Sequence, residues 1–237
     1  MLKIDNLTVK YGQLTAVRDV SFEVEKGEIA CIVGPNGAGK STTLLSISGV
    51  LNPSEGDIIL NRGKISGLSP EQVANYGVTQ VPEGRHIFTS LTVEENLIVG
   101  AALRSDKKAI SEDIAKVVDL FPILGERSQQ QAGKLSGGEQ QMLAIGRAIM
   151  TNPSIMTIDE PSLGLAPLII DKVYEALIKL RKESGLTLLI VEQSAERALK
   201  AADKIYVLRN GEIKLRGLSS NLKGDDISKA YFGFDER

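Results

Sequence analysis

Residues 34–42 of this chain, GPNGAGKST, have a spacing that suits the binding of phosphate groups. The segment fits the pattern G-x-x-x-x-G-K-[ST] and lies between an apolar run and a helical pattern, as a phosphate loop must. Its glycines remove side chains that would keep backbone N–H groups away from a phosphate. An ordinary glycine-rich turn remains the alternative for this motif alone. The predicted phosphate-binding residues are Gly34, Pro35, Asn36, Gly37, Ala38, Gly39, Lys40, Ser41 and Thr42.

Two residues of this loop have distinct expected roles. Lys40 is expected to reach the β- and γ-phosphates of a nucleotide, and the Ser41 hydroxyl to bind Mg²⁺.

An acidic pair, Asp159-Glu160, ends a second apolar run, SIMTIDE. At the tip of a neighbouring strand, Asp159 would hold the Mg²⁺ and Glu160 would orient or deprotonate the attacking water. Taken alone, an acidic pair at a strand end is more often solvated surface.

The segment LSGGEQQ (135–141) predicts a second anion-binding helix start. Ser136 lies three residues before Glu139, which is the spacing of a capping box. Gly137 and Gly138 expose the amides of the first turn, and a helix N-terminus attracts anions. A plain helix cap explains the serine and the glutamate but not two glycines, which weaken a helix. Because the chain already has a phosphate loop, the segment predicts a second nucleotide shared with a partner chain.

Strands and helices must position these residues. Val20, Phe22 and Val24 alternate at period two, and 29–33 is expected to be a buried strand. The apolar runs SIMTIDE (154–160) and LTLLIVE (186–192) are typical of buried parallel strands. Between about 84 and 150 the pattern is helical: Thr92 and Glu95 form a capping-box signature, and a helix with Glu112 and Asp113 in its first turn is expected. Asn210-Gly211 predicts a type I′ hairpin near the end.

Composition excludes some function classes. The 237 residues carry a net charge of −2 with a pI near 5.7, which argues against a nucleic-acid partner. No apolar run approaches the roughly 20 residues that span a bilayer, and the N-terminus lacks the layout of a signal peptide. The single cysteine, Cys31, is expected to be a core residue. A cytoplasmic, reducing location follows, with any membrane reached through a partner.

In their order and spacing, the motifs resemble the ATP-binding-cassette (ABC) ATPases over nearly the whole chain. The resemblance implies an α/β fold with a P-loop NTPase (RecA-like) core of mostly parallel sheet, an antiparallel β-subdomain at the N-terminal side and an inserted α-helical subdomain. The expected division places the nucleotide-binding core at 1–83 and 151–217, the helical subdomain at 84–150 and a short tail at 218–237. The family also implies that Tyr11 stacks on adenine; a half-buried tyrosine at a strand end is the alternative.

The resemblance further implies partners. In this family two cassettes pair head to tail, so that each ATP lies between the phosphate loop of one subunit and the signature segment (Ser136, Gly137, Gly138, Glu139) of the other. VPEGRHIFTSLTVEENL, LSGGEQQMLAIGRA, DEPSLGLAP and VEQ are similar to the smaller ATPase subunit of branched-chain amino acid importers, the LivF type. This implies ATP and Mg²⁺ as ligands, integral-membrane permease subunits, a sister or identical ATPase subunit, an indirect solute-binding protein, and a peripheral position on the inner face of the membrane.

Three positions depart from the broad family pattern. Glu83 aligns with a glutamine that usually faces Mg²⁺, with Gln80 as a less well placed candidate and a solvated loop as the alternative. Leu165 replaces an aspartate that would cross the dimer interface. Gln193 replaces a histidine that contacts the γ-phosphate; its amide can donate the same hydrogen bond but cannot relay a proton at neutral pH.

The only histidine, His86, is expected to be a loop residue near the permease rather than a substitute for that group. Other functions remain open: a cassette of an amide, urea or lipid transporter, a soluble ABC ATPase outside transport, and a regulatory nucleotide binder that does not hydrolyse ATP.

Overall fold

The computed structural model describes residues 1–233 and contains two sheets and nine α-helices within that range. The strands are Leu2–Tyr11 (β1), Leu14–Val24 (β2), Ile29–Val33 (β3), Glu55–Leu60 (β4), Gly63–Lys64 (β5), Val78–Val81 (β6), Ile155–Asp159 (β7), Thr187–Glu192 (β8), Lys204–Arg209 (β9) and Glu212–Leu218 (β10). The helices are Lys40–Ile47 (α1), Pro70–Asn75 (α2), Val93–Gly100 (α3), Lys107–Leu120 (α4), Pro122–Glu126 (α5), Gly137–Ile149 (α6), Pro167–Ser184 (α7), Ala195–Ala201 (α8) and Gly224–Phe232 (α9).

The larger sheet has the order β10-β9-β3-β8-β7-β6, and all of its pairings are parallel except that of β10 with β9. The strands expected at 29–33 and in the runs 154–160 and 186–192 are confirmed as β3, β7 and β8 of this sheet. Because parallel strands end at the same edge, the segments that follow β3, β7 and β8 meet there. These segments begin with Gly34, Glu160 and Gln193, so the topology brings three distant stretches of sequence to one place.

The smaller sheet is antiparallel, with the order β2-β1-β4-β5. The expected alternation in β2 is confirmed, since Val20, Phe22 and Val24 are all buried. The expected α/β class, with a mostly parallel core, an antiparallel part at the N-terminal side and inserted helices, is confirmed.

The larger sheet separates two hydrophobic cores because side chains alternate between its faces. On β3, Ile29, Cys31 and Val33 pack into the core formed with helices α3 to α8. Ala30 and Ile32 face the other way, toward α1 and the antiparallel sheet. Cys31 is a buried free thiol, as expected of a core residue.

Helices α3 to α6 lie between β6 and β7 in the chain, and two predicted capping boxes are confirmed at Thr92 and Ser136. The expected start of α4 was wrong. This helix begins at Lys107, so Asp113 lies in its middle, where its carboxylate pairs with Arg104 instead of facing the helix dipole. The sequence pattern did not indicate that α4 begins at Lys107, because 107–111 carries little apolar periodicity.

The hairpin of β9 and β10 has Asn210 and Gly211 at its turn, both with positive φ, as a type I′ turn requires. The segment expected to be a short tail (218–237) contains α9, whose Ile227 is fully buried against the main core. Its last four residues lie outside the described range.

Candidate active site

The phosphate loop joins the end of β3 to the start of α1 and is tightly packed against its surroundings. A Cβ at Gly34 would lie 2.1 Å from the backbone oxygen of Leu208. A Cβ at Gly39 would lie 2.6 Å from the oxygen of Ala16, and this residue also has a φ of +101°. Both positions therefore require glycine, and the packing aims the free N–H groups of α1 into the loop, where an anion binds.

Lys40 is the first residue of α1 and its side chain is 4% exposed. Its Nζ donates to the carbonyl oxygens of Gly34 (2.9 Å) and Pro35 (3.1 Å) and lies 3.4 Å from Oε1 of Glu160. A buried ammonium needs such partners, because an unpaired charge is costly to remove from water. The loop thus folds around its own cation and holds a positive charge where phosphate oxygens would lie.

Glu160 follows β7 and lies at the meeting point of the three strand ends. Its φ is +48°, an uncommon conformation for a non-glycine residue that is often found at functional sites. Its backbone N–H donates to the oxygen of Val191 (3.0 Å), which ties it to β8. Its Oε2 accepts a hydrogen bond from Nε2 of Gln193 at 2.5 Å. The carboxylate is therefore held between an amide and an ammonium.

Asp159 is buried, and among the described residues its Oδ1 has no hydrogen-bond partner. Burial raises the pKa of this carboxyl; the hydroxyl of Ser41 opposes the shift, the nearby charges of Glu160 and Glu83 add to it, and Lys40 opposes it. A carboxylate oxygen beside a hydroxyl and other carboxylates is a fitting donor set for Mg²⁺. Of the three residues predicted to bind the metal, Ser41 and Glu83 thus both act on the third, Asp159.

Within the described residues, no group of three or more histidine, cysteine, aspartate or glutamate side chains could hold a metal by itself. A magnesium ion here would complete its shell with phosphate oxygens and water, as Mg²⁺ commonly does. Gln80, the less well placed candidate, lies on β6 beside Thr157.

Tyr11, predicted to stack on adenine, ends β1 and is half-exposed, and its hydroxyl oxygen lies 3.4 Å from Oγ1 of Thr42. The ring is therefore at the mouth of the phosphate loop, within reach of a base attached to a nucleotide bound there.

The signature segment, Ser136–Glu139, lies at the start of α6 and not in the phosphate loop. Ser136 caps α6 through its bonds with Glu139, and Glu139 pairs with Arg127. In residues 1–233, none of the hydrogen bonds or ion pairs of Ser136–Glu139 reaches the phosphate loop. The two glycines have different surroundings. A Cβ at Gly138 would lie 2.5 Å from Cγ2 of Ile169 on α7, whereas the nearest atoms to one at Gly137 would belong to the Arg85 guanidinium, at 3.0 Å.

His86 lies in a groove of about 360 Å³ between the larger sheet and the inserted helices. Its backbone oxygen accepts a hydrogen bond from Nη2 of Arg147 (2.7 Å), whose guanidinium stacks over the ring of Phe88. Gln80 lines the same groove.

Sequence reasoning missed one buried polar group at this edge. Glu192, the last residue of β8, accepts hydrogen bonds from Ser162 and Tyr174. A signal was available in the sequence, since a glutamate that ends an apolar run directly before Gln193 needs a partner.

The arrangement offers a cation for phosphate oxygens and a held carboxylate beside it. It also offers an oxygen of Asp159 that has no partner within residues 1–233, on a carboxylate that the Ser41 hydroxyl contacts. These groups suit the transfer of a nucleotide's terminal phosphoryl group to water, in which positioning and charge stabilisation carry most of the catalysis.

Comparisons with known proteins agree with this chemistry. The family model described as "ABC transporter" matches residues 17–163. The chain is 46% identical to the high-affinity branched-chain amino acid transport ATP-binding protein BraG of Pseudomonas aeruginosa, over 98% of this chain and 100% of that protein. It is 37% identical to the probable branched-chain amino acid transport ATP-binding protein LivF of Archaeoglobus fulgidus, over 94% of each chain.

Solved structures give the same result. An ATP-binding cassette of an ABC transporter in its ADP conformation is similar with a TM-score of 0.85 at 30% identity, covering 98% of both chains. A dimeric cassette in a post-hydrolysis state, bound to ADP and Pi, is similar with a TM-score of 0.82 at 26% identity, covering 94% of this chain and all of that one.

Proposed function

The chain belongs to the ABC transporter family of ATP-binding proteins, and from this premise we propose that it binds ATP at residues 34–42 and hydrolyses it with Glu160, to drive the import of branched-chain amino acids. ATP hydrolysis in a transporter is the activity of its family. The roles of individual residues, the metal, the partners and the substrate belong to the proposal.

One observation carries the assignment of the catalytic residues: Lys40, Glu160 and Gln193 form a continuous line of contacts at the end of the phosphate loop. With ATP bound, Lys40 exchanges its carbonyl partners for the β- and γ-phosphate oxygens. The Glu160 carboxylate accepts a hydrogen bond from the attacking water and receives its proton. The Gln193 amide, as a donor, supports both the carboxylate and the γ-phosphate.

Mg²⁺ fits the site, because Asp159 has a buried oxygen without a partner in the described part of the chain and Ser41 and Glu83 lie near it. Ser41 and Asp159 would hold the ion, with Glu83 in reach of its water shell. When bound, Mg²⁺ neutralises negative charge on the phosphate oxygens.

A second cassette completes the site. The signature segment of this chain caps its own helix: the N–H groups of Ser136 and Glu139 are used by the capping box, so the amides of Gly137 and Gly138 are the ones proposed to face a nucleotide held by a partner. Leu163 and Leu168 are exposed around the segment that follows Glu160, where water-exposed leucines favour contact with another chain. Leu165, by contrast, packs partly against the main core and does not replace the aspartate as an exposed contact. The solved relatives include dimeric cassettes.

The groove at Phe88 is the proposed docking surface for a membrane permease. It lies between the sheet that holds the phosphate loop and the helices that carry the signature segment, and Val99 and Leu103 add exposed apolar surface. No helix within residues 1–233 is long and apolar enough to span a bilayer.

The transported substrate is inferred from relatives. Both BraG and LivF are described as branched-chain amino acid transport proteins and match nearly the whole chain. The cassette does not touch the substrate, so its own site supports ATP hydrolysis and the relatives supply the substrate class.

A substitution at Glu160 tests the catalytic proposal. Glu160→Gln should lower steady-state phosphate release by at least about 100-fold, the lower range for loss of an acid–base group, and leave ATP binding intact. Glu196→Gln, the same change at an exposed glutamate paired with Lys200 on α8, is the matched control and should leave turnover unchanged. Undiminished turnover in Glu160→Gln would contradict the assignment.

Purification of the chain with its permease and solute-binding protein tests the substrate. The binding protein should bind leucine, isoleucine or valine. Binding of urea or a short amide instead, or recovery with a lipid-exporting permease, would overturn the proposed substrate while leaving the ATPase assignment in place.

A further inference from the structure

Glu192 is a buried carboxylate to which the proposed hydrolysis assigns no role. It ends β8 and is 1% exposed. Because side chains alternate along a strand, it shares the face of Leu188 and Ile190, which point into the main core with Tyr174 of α7. A carboxylate in such a place is costly unless hydrogen bonds satisfy its oxygens. The hydrogen-bond partners of Glu192 therefore indicate its role.

Both oxygens of Glu192 are satisfied by buried hydroxyl groups. The Tyr174 hydroxyl donates to Oε1 at 2.6 Å, and the Ser162 hydroxyl donates to Oε2 at 3.0 Å. Nη1 of Arg197, on α8, donates in turn to Oγ of Ser162 at 2.8 Å. Burial raises the pKa of Tyr174, and the charge of Glu192 raises it further, so this hydroxyl remains a donor at neutral pH.

These bonds join the same two segments that meet in the active site. Glu192 binds Ser162, and the next residue, Gln193, binds Glu160. Just before them in the chain, the oxygen of Val191 accepts the N–H of Glu160. Consecutive residues at the end of β8 thus hold the segment that follows β7 at three points, and that segment includes the strained backbone of Glu160.

We propose that Glu192 is a positioning residue for hydrolysis: through Ser162 and Tyr174 it fixes the carboxylate of Glu160 and the amide of Gln193 relative to Lys40. The inference rests on the proposed roles of Glu160 and Gln193. The clamp, meaning Glu192, Ser162, Tyr174 and Arg197, also anchors the chain just before the exposed Leu163. Contact of that loop with a second cassette would therefore act on the catalytic carboxylate through the clamp.

Tyr174→Phe tests the clamp with the least disturbance, because it removes one hydroxyl and keeps the ring. Tyr206→Phe is the matched control: Tyr206 is also a buried tyrosine, and its hydroxyl donates to the backbone oxygen of Glu23 at 2.5 Å, away from the site. In the purified protein, Tyr174→Phe should lower kcat about tenfold with KM for ATP changed less than about twofold, since a misplaced catalytic group costs rate. Tyr206→Phe should leave kcat unchanged even if the thermal midpoint falls.

Two further variants make the test independent of one substitution. Glu192→Gln and Ser162→Ala should each lower kcat in the same way, and Tyr174→Phe combined with Glu192→Gln should cost less than the product of the separate effects. Unchanged kcat in Tyr174→Phe and Glu192→Gln, or equal losses of kcat in Tyr174→Phe and Tyr206→Phe, would overturn the proposal. Glu160→Gln is assayed in parallel. If Glu160→Gln keeps its turnover, the catalytic assignment of Glu160 fails, and the proposed role of the clamp fails with it. If Glu160→Gln is inactive but Tyr174→Phe keeps its kcat, only the proposed role of the clamp is refuted.

Discussion

The side-chain amide of Gln193 donates a hydrogen bond to the carboxylate of Glu160, and the other oxygen of that carboxylate lies 3.4 Å from the ammonium of Lys40. The glutamine that stands where the family has a histidine is thus in direct contact with the group proposed to activate water. Its neutrality matters, because an amide supports a carboxylate by donating a hydrogen bond and does not titrate near neutral pH.

The first prediction concerns loss of this contact. Gln193→Ala should lower kcat by about 10- to 100-fold, since hydrogen bonds to charged groups contribute about 1.5–3 kcal/mol. Phosphate release at saturating ATP measures the change. Gln129→Ala, which removes an exposed glutamine amide bonded to Glu94, is the control and should behave like the natural chain. Equal rates for all three proteins would show that Gln193 does not act in turnover.

The second prediction concerns pH. Gln193→His introduces a group whose pKa is ordinarily about 6.5 and is raised by a neighbouring carboxylate. Below that pKa the imidazolium attracts the γ-phosphate, so ATP affinity in this variant should weaken as pH rises through it. The natural chain has no titrating group at this position and should show no such step. ATP titrations between about pH 6 and 8.5 compare the two; superimposable profiles would contradict the assigned position of residue 193 beside the phosphate.

The third prediction concerns Asp159. Asp159→Asn should reduce the gain in ATP affinity that Mg²⁺ provides by about tenfold or more, as expected for loss of a group that holds a metal. Affinities measured with Mg²⁺ and with a chelator give this ratio. In Asp203→Asn, which alters an aspartate bonded to Arg181 at the other end of the sheet, the ratio should stay unchanged.

The thermal stability of Asp159→Asn tests the proposed role of Asp159 independently. Because burial raises its pKa in the folded chain, the ionised form disfavours folding above the ordinary carboxyl pKa. Without Mg²⁺ at neutral pH, Asp159→Asn should therefore unfold at the same temperature or higher. A marked loss of stability would indicate a structural role instead.

The fourth prediction separates the two signature glycines. Gly138→Ala should destabilise the fold by about 1–3 kcal/mol, because its Cβ would press on Ile169 and overpack the contact of α6 with α7. The nearest neighbour of the new methyl in Gly137→Ala is the end of the flexible Arg85 side chain. This variant should unfold like the natural chain or at a slightly higher temperature, since alanine favours a helix. Its ATPase activity should nevertheless fall, because a side chain then stands among the amides offered to a partner's nucleotide. Full activity in Gly137→Ala would contradict that use of the segment.

The fifth prediction concerns the pair Arg104–Asp113 within the inserted helices. Nη1 of Arg104 donates both to Asp113 (2.7 Å) and to the backbone oxygen of Met150 (2.9 Å). Arg104→Met should lower the free energy of unfolding by about 1–3 kcal/mol at pH 7, as expected when a partly buried polar group loses its partner. Lys116→Met removes the exposed partner of Asp113 and should cost less than about 1 kcal/mol.

The same pair predicts a pH dependence. Burial by itself would raise the pKa of Asp113, but the hydrogen bonds from Lys116 and Arg104 hold it below its ordinary value. The stabilisation is therefore complete above the ordinary carboxyl pKa and is lost as pH falls through the lowered value. Urea unfolding at about pH 7 and pH 3 should show the effect of Arg104→Met shrinking in acid. A constant difference would contradict the pairing.

Local patterns predicted much of this structure. The parallel strands, the capping boxes at Thr92 and Ser136 and the type I′ turn at Asn210-Gly211 were all predicted correctly, because each depends on residues within a few positions of one another. The start of α4 was predicted wrongly, because its first residues carry charges rather than an apolar period, and the pairing of Arg104 with Asp113 crosses a loop that no local rule describes.

The sequence by itself determined the chemistry of this protein: a loop whose glycines admit a phosphate, a lysine and a serine at its end, and an acidic pair after an apolar strand. Only the tertiary structure decided which of these groups meet. The parallel order of β3, β8 and β7 brings Lys40, Gln193 and Glu160 to one edge although they are far apart in the chain. The sheet also turns Glu192 into the core beside Ser162 and Tyr174, and such a contact depends on packing between elements that sequence spacing does not encode.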